Sequence, residues 1–372
     1  MSKPTQPIMT SARAQLYIDL DAITSNYATL HQQLSDNATC GACVKADAYG
    51  LGQERVTQAL SAVGCEDFFV AYIEGGIALR HAIPDARIHV FSGLAGGTVE
   101  EFVHHNLTPV LNSLDEIMVW SKSGTRHAAN IHVDTGMLRL GLPPDELAVL
   151  VDNPIRLGNI NVDIVMSHLT CADMPKNAAN DKQLNAFLAV REALPMGRAS
   201  LANSSGIFLG PEYHFDLVRP GAALYGINPT SDELSPIRQV VKLQGKILQA
   251  RSVDTPQTVG YGASHQVTGP GRIATVGTGY ADGYLRFLSG NGTARIGDYV
   301  VPVVGPVSMD MISLDITQVP EHLSQPGMAV ELIGPDHDID TLAEEAGTIG
   351  YEILTSLGQR HRRVYHGGAP SQ

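Results

Sequence analysis

One lysine ends an apolar, strand-like run and opens a glycine-containing turn in the stretch Cys43-Val44-Lys45-Ala46-Asp47-Ala48-Tyr49-Gly50-Leu51-Gly52. Residues 39–44 are mostly small or apolar, which is typical of a buried β-strand. Loss of hydration disfavours a charged ammonium, and a Schiff-base lysine needs that environment. Taken alone, the stretch fits equally well a strand-end lysine that reaches towards solvent.

Composition limits the classes of protein to which the chain can belong. Its 372 residues are 44% apolar, which is enough for one large domain and a smaller one. The net charge of -13 argues against nucleic acid or an anionic membrane as a partner. No apolar run approaches the length of a membrane span, and residues 1–7 lack the apolar core of a signal peptide, so we expect a cytoplasmic protein.

Four cysteines are too few for a disulfide scaffold. Cys40 and Cys43 form a C-x-x-C pair that is compatible with redox chemistry or half of a zinc site. Because both lie in a predicted strand and no second pair follows, buried core thiols are the better interpretation. The chain has no Walker loop and no H-E-x-x-H pattern, and we expect no metal.

The first two thirds of the chain alternate short apolar runs with amphipathic helical runs, which is the pattern of repeated βα units. Eight strands are predicted, at residues 40–45, 67–72, 87–91, 108–111, 130–134, 162–167, 198–202 and 215–219. Ser113 and Glu116 indicate a capping box, and residues 180–194 a long helix. Eight units predict a (β/α)8 barrel over residues 15–240, after an N-terminal extension of residues 1–14.

From about Val240 the pattern changes to alternating β runs with many glycines, which predicts a β-rich domain over residues 241–372. Its clearest strands are residues 246–250, 272–276, 299–304 and 329–333, with helices at 341–346 and 351–357. An early strand at residues 16–20 is compatible with pairing in either domain.

Polar residues follow four of the predicted barrel strands, at the ends where barrel enzymes carry their active sites. They are Lys45, His168, the run Asn203-Ser204-Ser205-Gly206, and the run Arg219-Pro220-Gly221-Ala222. Hydroxyls and free amides at a loop or helix start bind phosphate, although either loop alone fits ordinary turn chemistry. Both loops follow late strands, where barrels often bind phosphate, and this favours a functional site.

Over nearly its whole length the chain resembles the alanine racemases. The motifs that carry the likeness occur in the family's order, and they are residues 18–23, 43–52, 132–141, 167–169, 203–204, 219–226, 260–263, 279–283, 309–310 and 351–352. The resemblance implies a barrel followed by a β domain, pyridoxal 5'-phosphate (PLP) held covalently by Lys45, and a head-to-tail homodimer in which the C-terminal domain completes the partner's active site. It also implies an isomerase that interconverts L- and D-alanine and supplies D-alanine for peptidoglycan.

The family likeness assigns the cofactor contacts. Tyr49 and Tyr351 would contact the phosphate with Asn203, Ser204, Gly221 and Ala222, and Arg219 would contact the pyridine nitrogen. A guanidinium gives up no proton, so the ring nitrogen stays unprotonated and the cofactor is a weaker electron sink. This favours racemisation over transamination or elimination.

Racemisation needs an acid/base group on each face of the substrate Cα. By resemblance these groups are Lys45 and the partner chain's equivalent of Tyr261. A phenol needs cationic help to act as a base near neutral pH, and His168 backed by Arg219 would supply it.

Four further residues would contact the substrate. Met309 and Asp310 would offer backbone amides to its carboxylate, and Arg139 would anchor that carboxylate or orient Tyr261. Tyr280 would narrow the entrance together with Tyr351, and Asp173 and Arg286 would lie further out along it. A tight throat would admit alanine and exclude larger side chains.

One position departs from the family. Many members carry a carbamylated lysine two residues before the D-T-G-M segment, where this chain has His132. A histidine cannot form that carbamate, so a bound anion, an acidic side chain or nothing at all would orient Arg139, and we expect no carbamylated lysine.

Three other functions are compatible with parts of the sequence. A racemase of broader specificity, acting on serine, lysine or other larger amino acids, would need a wider throat. A decarboxylase of the same domain plan is disfavoured by Arg219, because such enzymes set a carboxylate against the ring nitrogen. A non-enzymatic PLP-binding barrel would lack the residues after Val240.

Overall fold

The computed structural model describes residues 11–158, 160–230 and 235–368. It divides into two compact units, which we call the barrel unit and the β-rich unit. The barrel unit is built on Ile23–Arg238, and the β-rich unit combines the described residues up to Ala22 with Gln239–Gly367. Most of the predicted extension, residues 1–10, lies outside the described residues.

The strands are β1 (Ala14–Asp19), β2 (Thr39–Cys40), β3 (Ala42–Cys43), β4 (Asp67–Val70), β5 (Arg87–Val90), β6 (Thr108–Leu111), β7 (Ala128–His132), β8 (Asn161–Met166), β9 (Arg198–Ser200), β10 (Leu217–Val218), β11 (Val241–Val253), β12 (Gln257–Val259), β13 (His265–Val267), β14 (Gly271–Val276), β15 (Thr293–Ile296), β16 (Tyr299–Pro302), β17 (Ile312–Asp315), β18 (Ala329–Ile333) and β19 (Arg362–His366). The helices are α1 (Leu20–Gln32), α2 (Lys45–Gly50), α3 (Gln53–Ala62), α4 (Ile73–Ala82), α5 (Val99–His104), α6 (Leu114–Lys122), α7 (Pro144–Asp152), α8 (Ala178–Ala193), α9 (Ile339–Glu345) and α10 (Gly350–Ser356). Every helix in the described residues is too short or too polar to cross a lipid bilayer.

The barrel unit is a ring of parallel strands. Seven of them pair in sequence order from β3 to β9. β10 closes the ring, because it pairs in parallel with β2 and because the N–H of Arg219 donates to the carbonyl of Ala202 beyond β9, at 2.9 Å. β2 and β3 form one interrupted strand, so the predicted (β/α)8 barrel is confirmed.

Apolar side chains from five of the strands form one buried core cluster, as expected of a barrel of this size. This buried cluster consists of Cys43, Phe69, Val110, Ile164, Met166 and Leu217. Because this core packs the ring from within, the loops at the strand ends start from fixed positions.

The β-rich unit contains one large sheet in the order β16-β15-β18-β11-β1-β19, with β14 also paired to β11 and β17 to β14. β1 lies between β11, to which it is antiparallel, and β19, to which it is parallel. The sequence-based boundary had assigned residues 15–22 to the barrel, and the structure corrects this. Leu16 and Ile18 of β1 are fully buried in this sheet. The two strands that pair with β1 lie far away in the sequence.

One predicted helix start was only half right. Ser113 caps α6, accepting from the N–H of Glu116 at 3.2 Å. The Glu116 carboxylate does not return to Ser113. It accepts instead from the N–H groups of Leu94 at 3.0 Å and Asn112 at 2.7 Å, and thereby ties the loops that follow β5 and β6.

Candidate active site

Lys45 does not end a strand as the sequence predicted; it opens the six-residue turn α2. Residues 46–49 all have φ between 52° and 56°, which is left-handed backbone. Such a conformation costs an L-residue about 1–2 kcal/mol each, so surrounding contacts must hold it. The carbonyl of Val44 accepts from the N–H of Ala48 at 3.1 Å and from the side-chain amide of Gln53 at 3.3 Å. The strained turn holds Lys45, which is half-buried, at the carboxyl end of the barrel.

A group of hydrogen-bonding atoms free of carboxylates lies at the same end. Tyr49 is buried and stacks on Tyr225, with ring centroids 4.5 Å apart. A side chain at Gly221 would overlap the Tyr49 hydroxyl, so glycine is required for this close approach. The Ser204 hydroxyl accepts from the N–H of Gly221 at 2.9 Å and from that of Ala223 at 3.2 Å.

Two short 3₁₀ turns begin in this group, at Ser205 and at Ala222. Their first N–H groups have no acceptor within their own turns, and both residues are buried. The side-chain oxygen of Asn203 accepts from the N–H of Gly206 at 2.9 Å and caps its own turn, so only its amide hydrogens remain for the phosphate contact that the sequence predicts. Tyr49, Ser204 and Ala222 together suit a phosphate, and Gly221, whose N–H already donates to Ser204, allows the close approach of these groups.

Arg219 is a buried cation, only 4% exposed. Its guanidinium donates to the Ser200 hydroxyl and to the carbonyl oxygens of Ser167 at 2.6 Å and Leu201 at 3.4 Å. Burial lowers the pKa of Arg219 to about 10, which leaves the side chain charged at neutral pH. In the described residues none of its acceptors is a carboxylate, so the site suits a ligand atom that accepts a hydrogen bond.

Two histidines lie beside this charge and are neutral at pH 7. Burial, and then the charges of Arg219 and Arg139, lower the pKa of His168 well below its usual value. Burial lowers the pKa of His132 to about 4, with Arg219 again the next cause. The exposed Arg139 makes no hydrogen bond or ion pair within the described part of the chain.

The remaining predicted residues lie in the β-rich unit. Tyr261, in the turn between β12 and β13, is 78% exposed, Met309 54% and Tyr280 43%. Tyr351 is the second residue of α10 and is 39% exposed. The Asp310 carboxylate is bonded to Arg360. That unit therefore presents a largely aromatic and apolar group of side chains to its surroundings.

Sequence reasoning missed Asn112, which directly follows β6. Its amide donates to the carbonyls of Phe91 at 2.9 Å and Val110 at 2.7 Å, and its oxygen accepts from Nδ1 of His132 at 2.8 Å. The strand-end rule that selected Lys45 and Arg219 would also have selected Asn112.

A cluster of side chains at the opposite end of the barrel has the composition of a metal site, but two arginines already bind its carboxylates. Ligand atoms of Asp67, His89 and Asp163 lie within 4.8 Å of one another. Arg198 donates to both carboxylates, at 2.9–3.1 Å, and Arg87 donates to Asp67 at 2.8 and 2.9 Å. Two guanidinium groups take the place of a cation there, so we assign no metal.

Comparison with known proteins identifies the family. The family models "Alanine racemase, N-terminal domain" and "Alanine racemase, C-terminal domain" match residues 18–229 and 240–365. The chain belongs to the alanine racemase family. It is 50% identical over 361 residues to an alanine racemase of Rhodospirillum rubrum, covering 96% of each chain. A catabolic alanine racemase of Mesorhizobium japonicum is 47% identical over 96% of this chain and 94% of its own.

Among solved structures, the chain is similar to the crystal structure of alanine racemase from Bartonella henselae with covalently bound PLP. The TM-score is 0.92 and the identity 40%, over 95% of this chain and all of that one. The donor group around Ser204 suits a phosphate, and Arg219, which has no carboxylate partner among the described residues, suits a ring nitrogen that accepts a hydrogen bond. PLP is therefore the cofactor of this alanine racemase family member.

Proposed function

We propose that this protein interconverts L- and D-alanine with PLP, using Lys45 and Tyr261 as acid/base groups on opposite faces of the substrate. The observation that carries the proposal is Arg219, a buried cation without a carboxylate partner in the described residues, beside carboxylate-free donors at the end of the barrel that holds Lys45. A decarboxylase of this plan would set a carboxylate against the ring nitrogen, and Arg219 argues against it.

The barrel unit supplies the cofactor contacts. Lys45 would form the covalent link, Tyr49, Ser204 and Ala222 would hold the phosphate, and Gly221 would allow its close approach. Arg219 would donate to the ring nitrogen and, since it remains charged at neutral pH, would leave that nitrogen unprotonated. When bound, PLP withdraws electrons from the substrate Cα and so makes its proton acidic.

The proton must leave one face of the Cα and return on the other, because a single base tends to return it to the side it left. Lys45 takes or gives the proton on one face. Tyr261 serves the other, and its 78% exposure leaves the hydroxyl available to a second chain. Because burial and the neighbouring arginines keep His168 neutral at pH 7, it would not supply the charge expected from the sequence. It would donate a hydrogen bond to the Tyr261 phenolate, and the cationic help would come from Arg219.

We infer that the working form is a homodimer in which each chain donates Tyr261 to its partner. Support comes from apolar side chains exposed in each unit taken separately. In the barrel unit, Leu138 is 90% and Leu140 46% exposed on either side of Arg139. In the β-rich unit, Tyr261, Met309 and Tyr280 are exposed as described above. Apolar surface of this kind is typical of interfaces.

Substrate size would be limited by Tyr280 and Tyr351, with Asp173 and Arg286 further out. Alanine differs from serine by one hydroxyl, so discrimination requires close contact with the side chain. Met309 and Asp310 would give backbone N–H groups to the substrate carboxylate, which both enantiomers share.

The test is solvent deuterium incorporation at the Cα of L-alanine and L-serine by the PLP-loaded protein, followed by chiral analysis. We expect deuterated D-alanine to form far faster than D-serine. Lys45→Ala should be inactive. In Tyr261→Phe, exchange of the Cα proton for deuterium should be slowed more for L-alanine than for D-alanine, whereas racemisation should be slowed equally in both directions because the equilibrium constant is unity. The matched controls Lys122→Ala and Tyr299→Phe, at residues outside the site, should retain activity. If PLP binds but no D-amino acid forms, the two-base proposal is wrong.

A further inference from the structure

Two aspartates and two arginines of the β-rich unit form a closed ring of alternating charge. Arg13 donates to the Asp282 carboxylate at 2.7 Å and lies 3.7 Å from that of Asp310. Arg360 lies 3.2 Å from the Asp282 carboxylate and donates to that of Asp310. We call these four side chains the charge ring. Its formal charges cancel, so the removal of one arginine leaves an uncompensated negative charge.

Asp282 is the buried anchor of the charge ring, at 1% exposure. Its carboxylate also accepts from the N–H of Gly279 at 3.0 Å, which closes the turn that carries Tyr280. Its carbonyl accepts from the N–H of Gly358 at 3.0 Å and from Nε2 of His361 at 2.8 Å. Asp282 therefore cannot move without disturbing three segments of the chain.

Backbone hydrogen bonds join the turn that carries Tyr280 to the turn that carries Met309. The N–H groups of Tyr280 and Ala281 donate to the carbonyls of Ser308 and Met309, each at 3.0 Å. A side chain at Gly279 would overlap those same carbonyls, so the two backbones are in direct contact. The carbonyl groups of the second turn thus face the first.

The N–H groups of Met309 and Asp310, unlike the carbonyl groups of the same turn, take no part in this contact. Neither donates to a protein acceptor in the part of the chain that the structure describes. An aspartate readily accepts from N–H groups of its own turn, as Asp134 does from Gly136 and Met137, both at 2.8 Å. Asp310 does not do so, because its carboxylate is held by the two arginines.

We propose that Arg13 and Arg360 are positioning residues that hold the Asp310 carboxylate away from its own turn and so keep the N–H groups of Met309 and Asp310 available for the alanine carboxylate. The inference rests on the proposed function, in which those N–H groups receive that carboxylate. The two arginines also neutralise Asp310, whose charge would otherwise repel the substrate.

The test is steady-state racemisation by the PLP-loaded holoenzyme with Arg360→Gln, Asp310→Ala and the double variant. Arg360→Gln should raise KM about 5-fold with kcat within about 2-fold, because an interaction common to ground and transition states is lost. The increase should be equal for L- and D-alanine, since the carboxylate is shared and the equilibrium constant is fixed at unity. Adding Asp310→Ala should bring KM back towards the wild-type value, and Arg360→Lys should be intermediate.

Arg272→Gln is the matched control, since Arg272 braces the same unit through the carbonyl of Val319 and the hydroxyl of Ser324, both at 2.8 Å. It should lower the melting temperature without changing KM.

If Arg360→Gln leaves KM unchanged while wild type racemises alanine, the positioning role is overturned and the proposed function stands. An increase in KM that Asp310→Ala does not relieve also overturns it. A wild-type holoenzyme that racemises nothing overturns both, and Arg13→Gln, expected to act in the same direction, replaces Arg360→Gln if that variant does not fold.

Discussion

The imidazole of His132 is held in one tautomer at the carboxyl end of β7. Asn112 cannot turn, because both hydrogens of its amide are bonded to backbone carbonyls, so its oxygen accepts a hydrogen bond from the Nδ1–H of His132. Protonation of Nε2 is disfavoured by burial and by the charges of Arg219 and Arg139, which lower the His132 pKa to about 4. A neutral ring, and not an anion, thus occupies the position at which many family members carry a carbamate.

We predict that this protein carries no lysine carbamate next to Arg139. Carbon-13 NMR of the holoenzyme in labelled bicarbonate should show no carbamate resonance, and the racemisation rate should be the same in carbon-dioxide-free buffer. A crystal map at Arg139 provides an independent check. A modified lysine bonded to Arg139, or a rate that depends on bicarbonate, would contradict the prediction.

At the scale of elements, local pattern determined the strands but not their partners. β6 and β18 were predicted to the residue, because alternation and β-branched composition are properties of the strand itself. The partners of β1 stayed open in the sequence, and the boundary that placed residues 15–22 with the barrel was corrected by the structure, because the strands that pair with β1 lie more than two hundred residues away. The left-handed turn after Val44 was missed, since four successive non-glycine residues adopt a conformation that each disfavours alone.

The residues of the candidate site, like the strands, could be predicted where a local rule selects them and not where long-range pairing brings them together. Lys45, His168 and Arg219 were selected from the sequence because strand ends converge in a barrel, a rule that needs only the order of the strands. The charge ring could not be predicted, because Arg13 precedes β1 and Arg360 precedes β19, and only the long-range pairing of that sheet brings them together.

The Asp67 cluster predicts how stability and activity separate. Asp67 is buried at the start of β4 and accepts from Arg87, His89 and Arg198, while the Asp163 side chain is 24% exposed and, among the described residues, accepts from Arg198 alone. Asp67→Ala should lower the free energy of unfolding by about 3–5 kcal/mol, because it leaves buried cations unpaired. Asp163→Ala should lower it by about 1 kcal/mol or less. Urea unfolding measures both.

At low temperature both variants should retain the wild-type kcat, since the cluster lies at the amino ends of the strands, away from Lys45. Equal loss of stability in the two variants, or a selective loss of kcat in Asp67→Ala, would contradict this interpretation.

At the scale of the whole molecule, the two neutral histidines, His132 and His168, predict that the free energy of unfolding decreases on mild acidification. Folding lowers the pKa of His132 from the usual 6.5 to about 4 and lowers that of His168 in the same direction. The unfolded chain therefore binds more protons, and stability decreases as pH falls from about 6.5 towards 4. Glu116, whose pKa is raised by burial, opposes the loss near the acid end of this range.

Between pH 7 and pH 5, His132 alone should account for about 2 kcal/mol of the free energy of unfolding. Denaturant unfolding at fixed protein and PLP concentration measures the loss, because dimerisation and cofactor binding also shift apparent stability. His132→Gln should reduce the loss by that amount, whereas the exposed His322→Gln should leave it unchanged.

The pKa of Asp67 is lowered by its three partners despite the burial of its carboxylate. The stability that Asp67 contributes should therefore be lost only below the usual pKa of 3.8. The free energy of unfolding should thus fall in two stages, first as the histidines gain protons in the unfolded chain and then, below pH 3.8, as the Asp67 cluster is lost. A free energy of unfolding that stays constant between pH 7 and pH 5 would contradict the histidine contribution.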